Sequence, residues 1–168
     1  MNPRVRVRRQ DRKSLAMKVT PGGVLVLVPE GLGAESAEVQ TFIREGLGRL
    51  PLLPPAPPEE RLAKEDLLAQ VQVWAQRLGV EVTRVQLRRM RAKWASISTA
   101  GTLTLASDLT RLPQRLVDYV LCHELLHLRL PNHTRDYHLL LSRHIPDWQE
   151  RERELAAWVL ALADGEAG

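Results

Sequence analysis

The chain has 168 residues, of which 44% are apolar and 26% charged, and its formal net charge is +4. This length and composition suffice for one buried core and leave room for a small appended unit. A membrane span is excluded because no apolar run approaches the ~18 residues that it needs, and the basic N-terminus lacks the apolar segment of a secretory signal. We therefore expect a cytoplasmic protein.

The first fifty residues are predicted to form a β-hairpin followed by a helix. Two apolar stretches, SLAMKVT and VLVLV, flank Pro21-Gly22-Gly23, where glycine can supply the positive φ of a tight turn. Apolar residues at helical spacing then predict a helix over 34–50. Five prolines between 51 and 58 predict a stiff, extended connector. The predicted segments are an N-terminal hairpin and helix unit (1–50), a proline-rich connector (51–58) and a main domain (59–168).

The main domain is predicted to combine helices with a small sheet, which gives an α+β fold class. Its periodicity predicts helices over 59–78, 113–130, 134–144 and 147–162. Alternating residues predict a strand over 80–90 and a hairpin made of Trp94–Ile97 and Thr102–Leu105. Gly79 is well placed to end the first of these helices, and Pro113 to begin the second.

One short motif carries the chemistry. His123, Glu124 and His127 form the pattern His-Glu-x-x-His inside the helix predicted over 113–130. Residues i and i+4 share a helix face, so the two imidazoles can hold one Zn²⁺ at about 2.0–2.1 Å. Glu124 is turned by about 100° from His123, so it can reach a water on the metal without becoming a ligand. We therefore predict Glu124 as the general base.

A catalytic zinc site needs a third protein ligand and one open position. His133 is the favoured third ligand, because Pro131 stops the helix and lets the chain fold back towards the same ion. The alternative ligands are glutamates of the last predicted helix, namely Glu150, Glu152 and Glu154. Asp136 could orient His133 or serve as a helix-start charge. Cys122 is the one cysteine, which excludes a cysteine-rich zinc site, and we interpret it as a buried filler.

These residues resemble the YgjP-like metallopeptidases, which are similar to SprT-like and other small zincins. The family motif H-E-L-x-H-L-x-x-x-x-H falls on residues 123–133 without a gap, and VQLRRMRAKWASIS resembles the family's strand motif. Ala95 and Ile97 replace a glycine and a cysteine of that motif, and Tyr137-His138 replaces the usual phenylalanine-tryptophan. The resemblance implies a zincin-like core, with a small antiparallel sheet over the active-site helix and zinc held by His123, His127 and His133.

The predicted function is that of a zinc metallopeptidase that acts on peptide or protein substrates. A zinc-activated water would attack the peptide carbonyl while Glu124 takes its proton and later passes it to the leaving amine. We expect Thr102–Leu105 to be the edge strand along which an extended peptide lies. Tyr137 and His138 are candidates for stabilising the oxyanion.

The alternative function rests on two basic clusters, one in residues 1–20 and one in residues 84–93. Such clusters attract nucleic acid, although a solvated strand face is the simpler interpretation. The chain could then be a nucleic-acid-binding module with a structural zinc, or a protease recruited to nucleic acid.

Overall fold

The structure, a computed structural model, describes residues 4–20, 23–50 and 61–164, with the side chains of the last helix described as far as Trp158. The predicted connector at 51–58 lies outside these residues. The described strands are β1 (Val5–Gln10), β2 (Ala16–Thr20), β3 (Gly23–Pro29), β4 (Arg84–Arg88), β5 (Ala95–Ile97) and β6 (Thr102–Ala106). The described helices are α1 (Ala37–Gly48), α2 (Lys64–Leu78), α3 (Gln114–Leu126), α4 (Arg135–His144) and α5 (Trp148–Asp164), and a short 3₁₀ turn, Ser107–Arg111, precedes α3.

The first sheet has the strand order β1-β3-β2, with β2 antiparallel and β1 parallel to the central strand. Three valines of β3 (Val24, Val26 and Val28) are fully buried in a small core that Val39 of α1 completes. Gly23 has φ +111°, and a Cβ there would meet the carbonyl of Arg4, so this end of the hairpin requires glycine. The sequence analysis assigned no strand before residue 14. β1 exists because β3 pairs with it, while its exposed arginines protect the sheet edge.

The second sheet has the order β4-β6-β5, with β6 parallel to β4 and antiparallel to β5. Leu103 and Leu105 of β6 are fully buried. The expectation that Thr102–Leu105 forms an edge strand is therefore wrong, because β6 uses its hydrogen-bonding groups on both sides. The edges of this sheet are β4 and β5, and β5 is the strand that contacts α3.

Helices α2, α3 and α5 surround the main core, in which Trp158 is fully buried. The indole Nε1 of Trp74 donates to the Asp118 carboxylate at 3.0 Å, which joins α2 to α3. α3 ends at Leu126 and not near Leu130 as predicted, because the amides of residues 127–129 bond to carbonyls three residues earlier. This tighter last turn is what carries the chain out of the helix at His127.

The N-terminal sheet packs against the main domain. Val19 of β2 contacts the main core, and α5 lies against both β2 and β3. The Arg6 guanidinium donates to the backbone carbonyl of Arg91 at 2.8 Å, which ties β1 to the loop between β4 and β5. In the described part of the chain, no helix has the length and apolar character needed to cross a membrane.

Candidate metal centre

Three imidazoles converge at the C-terminal end of α3. The Nε2 atom of His133 lies 3.0 Å from Nε2 of His127 and 3.3 Å from Nε2 of His123. Three ligand atoms of these residues lie within 4.8 Å of one another, as a metal site requires. Tetrahedral zinc with ligand distances of 2.0–2.1 Å would separate its nitrogens by about 3.3 Å. The donor set and its spacing therefore fit one zinc ion.

Each histidine reaches this point from a different local structure. His123 lies in the last turn of α3, and His127 caps that helix with φ −64° and ψ −17°. His133 lies in the turn that follows α3. This turn ends at Thr134, whose side chain accepts a hydrogen bond from the Tyr137 amide and so caps the start of α4. The chain folds back after Pro131 as predicted, since Nε2 of His133 lies 3.3 Å from Nε2 of His123 in α3.

Neighbouring groups orient two of the rings. Nδ1 of His127 lies 3.2 Å from the backbone carbonyl of Leu130, an acceptor, so this nitrogen carries the proton and Nε2 keeps its lone pair. The hydroxyl of Tyr119 lies 3.4 Å from Nδ1 of His123, on the side of the ring away from the cluster. Partners of this kind fix the tautomer and the direction of a metal-binding imidazole.

Tyr137 contacts the histidine cluster through both its hydroxyl and its ring. Its side chain is fully buried, its hydroxyl donates to the backbone carbonyl of His123 at 2.7 Å, and its ring stacks on His127 with centroids 4.9 Å apart. Because the hydroxyl is already engaged, Tyr137 is a positioning residue and not an oxyanion donor. The sequence signal for this role was the hydroxyl itself, since a buried tyrosine O–H needs a partner.

His138 and Asp136 are the other residues for which the sequence suggested supporting roles. Nδ1 of His138 lies 3.0 Å from the Thr134 carbonyl, and its ring stacks on Trp148 with centroids 5.3 Å apart. Asp136 is exposed on the first turn of α4, and no hydrogen bond joins it to His133 within the described residues. Its position fits the helix-start interpretation.

The alternative ligands on α5 lie outside the cluster of three histidines. Glu154 forms an ion pair with Arg115, and Glu150 is exposed. Glu152 lines a cavity beside the cluster. Cys122 is fully buried, and burial raises the pKa of its thiol to about 12, so it is a packing residue and not a nucleophile.

Burial shifts the pKa values of Glu124 and His123 in opposite directions. Burial raises the pKa of the half-buried Glu124 carboxyl to about 7, although the ammonium of Lys93 opposes this shift. Burial, and then the charges of His133 and His127, lower the pKa of His123 to about 4. A neutral imidazole is the form that binds metal, so this environment favours the ligand state of His123 at neutral pH.

Two cavities of about 520 Å³ each flank Glu124 in the described part of the molecule. The first cavity lies on the side of His123, and the second on the side of His127 and His133. Glu124, Lys93 and Ala95 line both, so Glu124 stands where the two cavities meet. Each cavity lies in the size range of ligand-binding clefts.

The free edge of β5 borders the second cavity. Towards β6 point the backbone groups of Trp94, Ser96 and Ser98. The Trp94 carbonyl accepts from the Ala106 amide, the Ser98 amide donates to the Thr102 carbonyl, and Ser96 pairs with Thr104. In an antiparallel strand the N–H and C=O of one residue point the same way, and successive residues alternate. The backbone groups of Ala95 and Ile97 therefore point away from β6.

Comparisons with known proteins bear on the family to which the chain belongs. A family model described as the YgjP-like metallopeptidase domain matches residues 58–157. A solved structure, the metallopeptidase zymogen abylysin of Pyrococcus abyssi, is 25% identical, with a TM-score of 0.46 over 52% of this chain and 86% of its own. A search of curated proteins found no match. The family match spans more than half of the chain and confirms the resemblance read from its motifs: the chain belongs to the YgjP-like family of metallopeptidases.

Proposed function

We propose that the protein is a zinc-dependent peptidase whose metal is held by His123, His127 and His133. The observation that carries this proposal is the convergence of three imidazole Nε2 atoms, with contacts of 3.0 and 3.3 Å, beside the carboxylate of Glu124. A bound zinc ion would polarise the substrate carbonyl and lower the pKa of water. With three protein ligands, one position stays open for this chemistry.

Glu124 is the proposed general base. Its pKa of about 7 lets it accept a proton from the attacking water at neutral pH, and the protonated carboxyl then delivers that proton to the leaving amine. Tyr137 acts on this step only through the histidines, because its hydroxyl holds the carbonyl of His123. The Lys93 ammonium lies close enough to lower the pKa of Glu124, which stabilises the carboxylate before proton transfer.

The substrate is proposed to bind as an extended strand beside β5, and not beside β6 as the sequence suggested. The backbone groups of Ala95 and Ile97 point outward along this edge, and the second cavity, which His133 lines, lies against it. Main-chain hydrogen bonds would then hold the peptide with little dependence on its sequence, while side-chain pockets give selectivity.

A zincin-like core over 59–168 is the fold that we propose for this activity. In it α3 carries the motif and β5 lies over that helix, as the contacts between these two elements support. The preceding segments would be the hairpin and helix unit at 1–50 and the connector at 51–58. The N-terminal unit carries its own small core around Val24 and Val39, which supports treating it as a separate unit.

The alternative, a nucleic-acid-binding module with structural zinc, has less support. A structural site is closed by a fourth protein ligand. Within the described residues, the group of metal-binding side chains consists of the three histidines alone. Exposed arginines such as Arg8, Arg88 and Arg91 leave contact with nucleic acid, or recruitment of a protease to it, as predictions.

The test is the substitution Glu124→Gln, which removes the proton acceptor with almost no change in shape. We expect peptide hydrolysis to fall by about 10²–10⁴-fold, because that is the usual contribution of general acid–base catalysis. Zinc content and thermal stability should stay near those of the wild type. Glu150→Gln, an exposed change on α5, is the control and should retain activity. Loss of zinc in Glu124→Gln, or full activity without the carboxylate, would contradict the proposal.

A further inference from the structure

The first cavity has a wall that the matched family region does not contain. Residues Met17–Thr20 of β2 line it, whereas the family model covers residues 58–157. Ala92–Ala95 also line it, and Tyr119 and Leu155 add apolar surface. β2 is an edge strand of its sheet, so its outer side is not covered by another strand of that sheet. The N-terminal sheet therefore borders the same cleft as Glu124 and His123.

The contacts of the sheet hold this wall in place. Val19, next to Lys18, packs against the main core, and α5 lies against β2. The bond from Arg6 to the Arg91 carbonyl anchors the sheet to the loop that supplies Ala92 and Lys93 to the cavity lining. Because both lining segments are tied to each other and to the core, the cavity is a built part of the fold.

Two ammonium groups lie among the residues that line this cavity. Lys18 of β2 and Lys93, just before β5, are both exposed and both line the first cavity. Neither forms an ion pair within the described residues. Glu152 of α5 and Glu124 of α3 line the same cavity, so its carboxylates come from helices, whereas its two ammonium groups come from β2 and from the segment before β5. An acidic group that enters the cavity on the side of β2 would meet these cations.

We propose that the N-terminal sheet is part of the peptide-binding cleft and that Lys18, together with Lys93, selects substrates with an acidic side chain close to the scissile bond on the His123 side. This inference rests on the proposed function, since it assumes that a peptide lies in the cleft. Lys18 is a specificity-determining residue in this arrangement. It contacts the substrate carboxylate and takes no part in proton transfer.

The test reverses the charge at Lys18 and uses a matched control. Lys18→Glu is compared with Lys13→Glu, an equal change of net charge at an exposed residue of the same unit that lines neither cavity. The substrates are synthetic decapeptides that carry Glu, Gln or Lys at each of four central positions, with cleavage sites and rates read by mass spectrometry. We expect the preference for Glu over Lys to fall about fivefold or more in Lys18→Glu, as for loss of one partly exposed ion pair. Lys13→Glu should keep the preference of the wild type.

A second measurement separates this inference from the proposed function. Fluorescein-labelled versions of the same peptides are titrated into zinc-loaded Glu124→Gln protein, with and without Lys18→Glu, and binding is followed by anisotropy. Charge-dependent binding without cleavage by the wild type would support the inference and contradict the peptidase assignment. Equal selectivity in Lys18→Glu and Lys13→Glu, a wild-type preference for Lys, or no binding of any peptide would overturn the inference.

Discussion

The three candidate ligands are held in place by hydrogen bonds and stacking from residues that bind no metal. The Tyr137 hydroxyl bonds the carbonyl of His123, while its ring stacks on His127 and lies 4.8 Å from the ring of His133. The Leu130 carbonyl fixes the tautomer of His127. This support orients the rings of His123 and His127, while the exposed turn that carries His133 brings the third ring against Tyr137.

Zinc stoichiometry tests the ligand set directly. We expect the purified wild-type protein to carry about one zinc per chain and His123→Ala to lose most of it, because two remaining ligands hold the ion poorly. Metal content is measured by mass spectrometry after dialysis against a weak chelator. His138→Ala is the matched control, since the ring of His138 is 6.3 Å from that of His133 and its Nδ1 lies beside the Thr134 carbonyl. If His123→Ala kept the zinc content of the wild type, the assignment of His123 as a zinc ligand would be wrong.

Local spacing explains why the sequence could identify this histidine cluster. His123 and His127 are one helical turn apart, and a proline stands between His127 and His133, so their approach follows from short-range geometry. The role of Tyr137 depends on how α4 folds back over α3, which spacing along the chain does not determine. Spacing along the chain also left Asp136 as a candidate partner of His133, whereas the fold leaves its side chain exposed.

At the scale of elements, strand pairing decides where a substrate can lie. The hairpin of β5 and β6 was predictable from Gly101, which has φ +88° in the turn. Its place in the sheet was not, because β6 is covered on its other side by β4, a strand fourteen or more residues earlier. Parallel pairing is non-local, and periodicity within one segment carries no information about it. β5, and not β6, is therefore the edge strand of this hairpin.

A proline at Ile97 tests the proposed edge. The Ile97 amide points away from β6, so Ile97→Pro removes a donor to the substrate while the bonds of Ser96 and Ser98 to β6 can remain. We expect kcat/KM for peptides to fall about 5–10-fold, since one hydrogen bond contributes about 1 kcal/mol. Ile97→Ala, which shortens the side chain and keeps the amide, serves as control. Thermal melting identifies any loss of fold, and equal kinetics in the two variants would contradict binding along β5.

At the scale of the whole molecule, the small N-terminal core is joined to the main core by a few specific contacts. The hairpin of β2 and β3 was visible in the sequence because both strands and the turn are local, whereas β1 depends on pairing with β3 across the intervening hairpin. That pairing also places Arg6 against the Arg91 carbonyl, and β2 beside the cleft. Composition alone suggested a separate appended unit. The contacts of Val19 and Arg6 hold this unit against the main domain, and its strand β2 lines the same cavity as His123 and Glu124.

Two opposing pKa shifts, those of His123 and Glu124, contribute to the pH dependence of stability in the metal-free protein. The folded-state pKa of His123 is about 4, below its usual 6.5, so its contribution is present above pH 6.5 and is lost as the pH falls towards 4. The folded-state pKa of Glu124 is about 7, above its usual 4.5, so its contribution is present below pH 4.5 and is lost as the pH rises through 7. Between about pH 4.5 and 6.5 the two slopes offset each other.

Single substitutions should therefore separate the two slopes. In chelator-treated Glu124→Gln the His123 contribution is no longer offset by Glu124, so the free energy of unfolding should fall more steeply than in the wild type on acidification from pH 6.5 to 4.5, with His123 adding at most ~1.4 kcal/mol per pH unit. In His123→Ala the carboxyl contribution remains, and stability should rise relative to the wild type over the same range. Urea denaturation at half-unit pH steps measures both, with the wild type lying between them. Parallel profiles for the three proteins would show that burial of these two groups does not control stability.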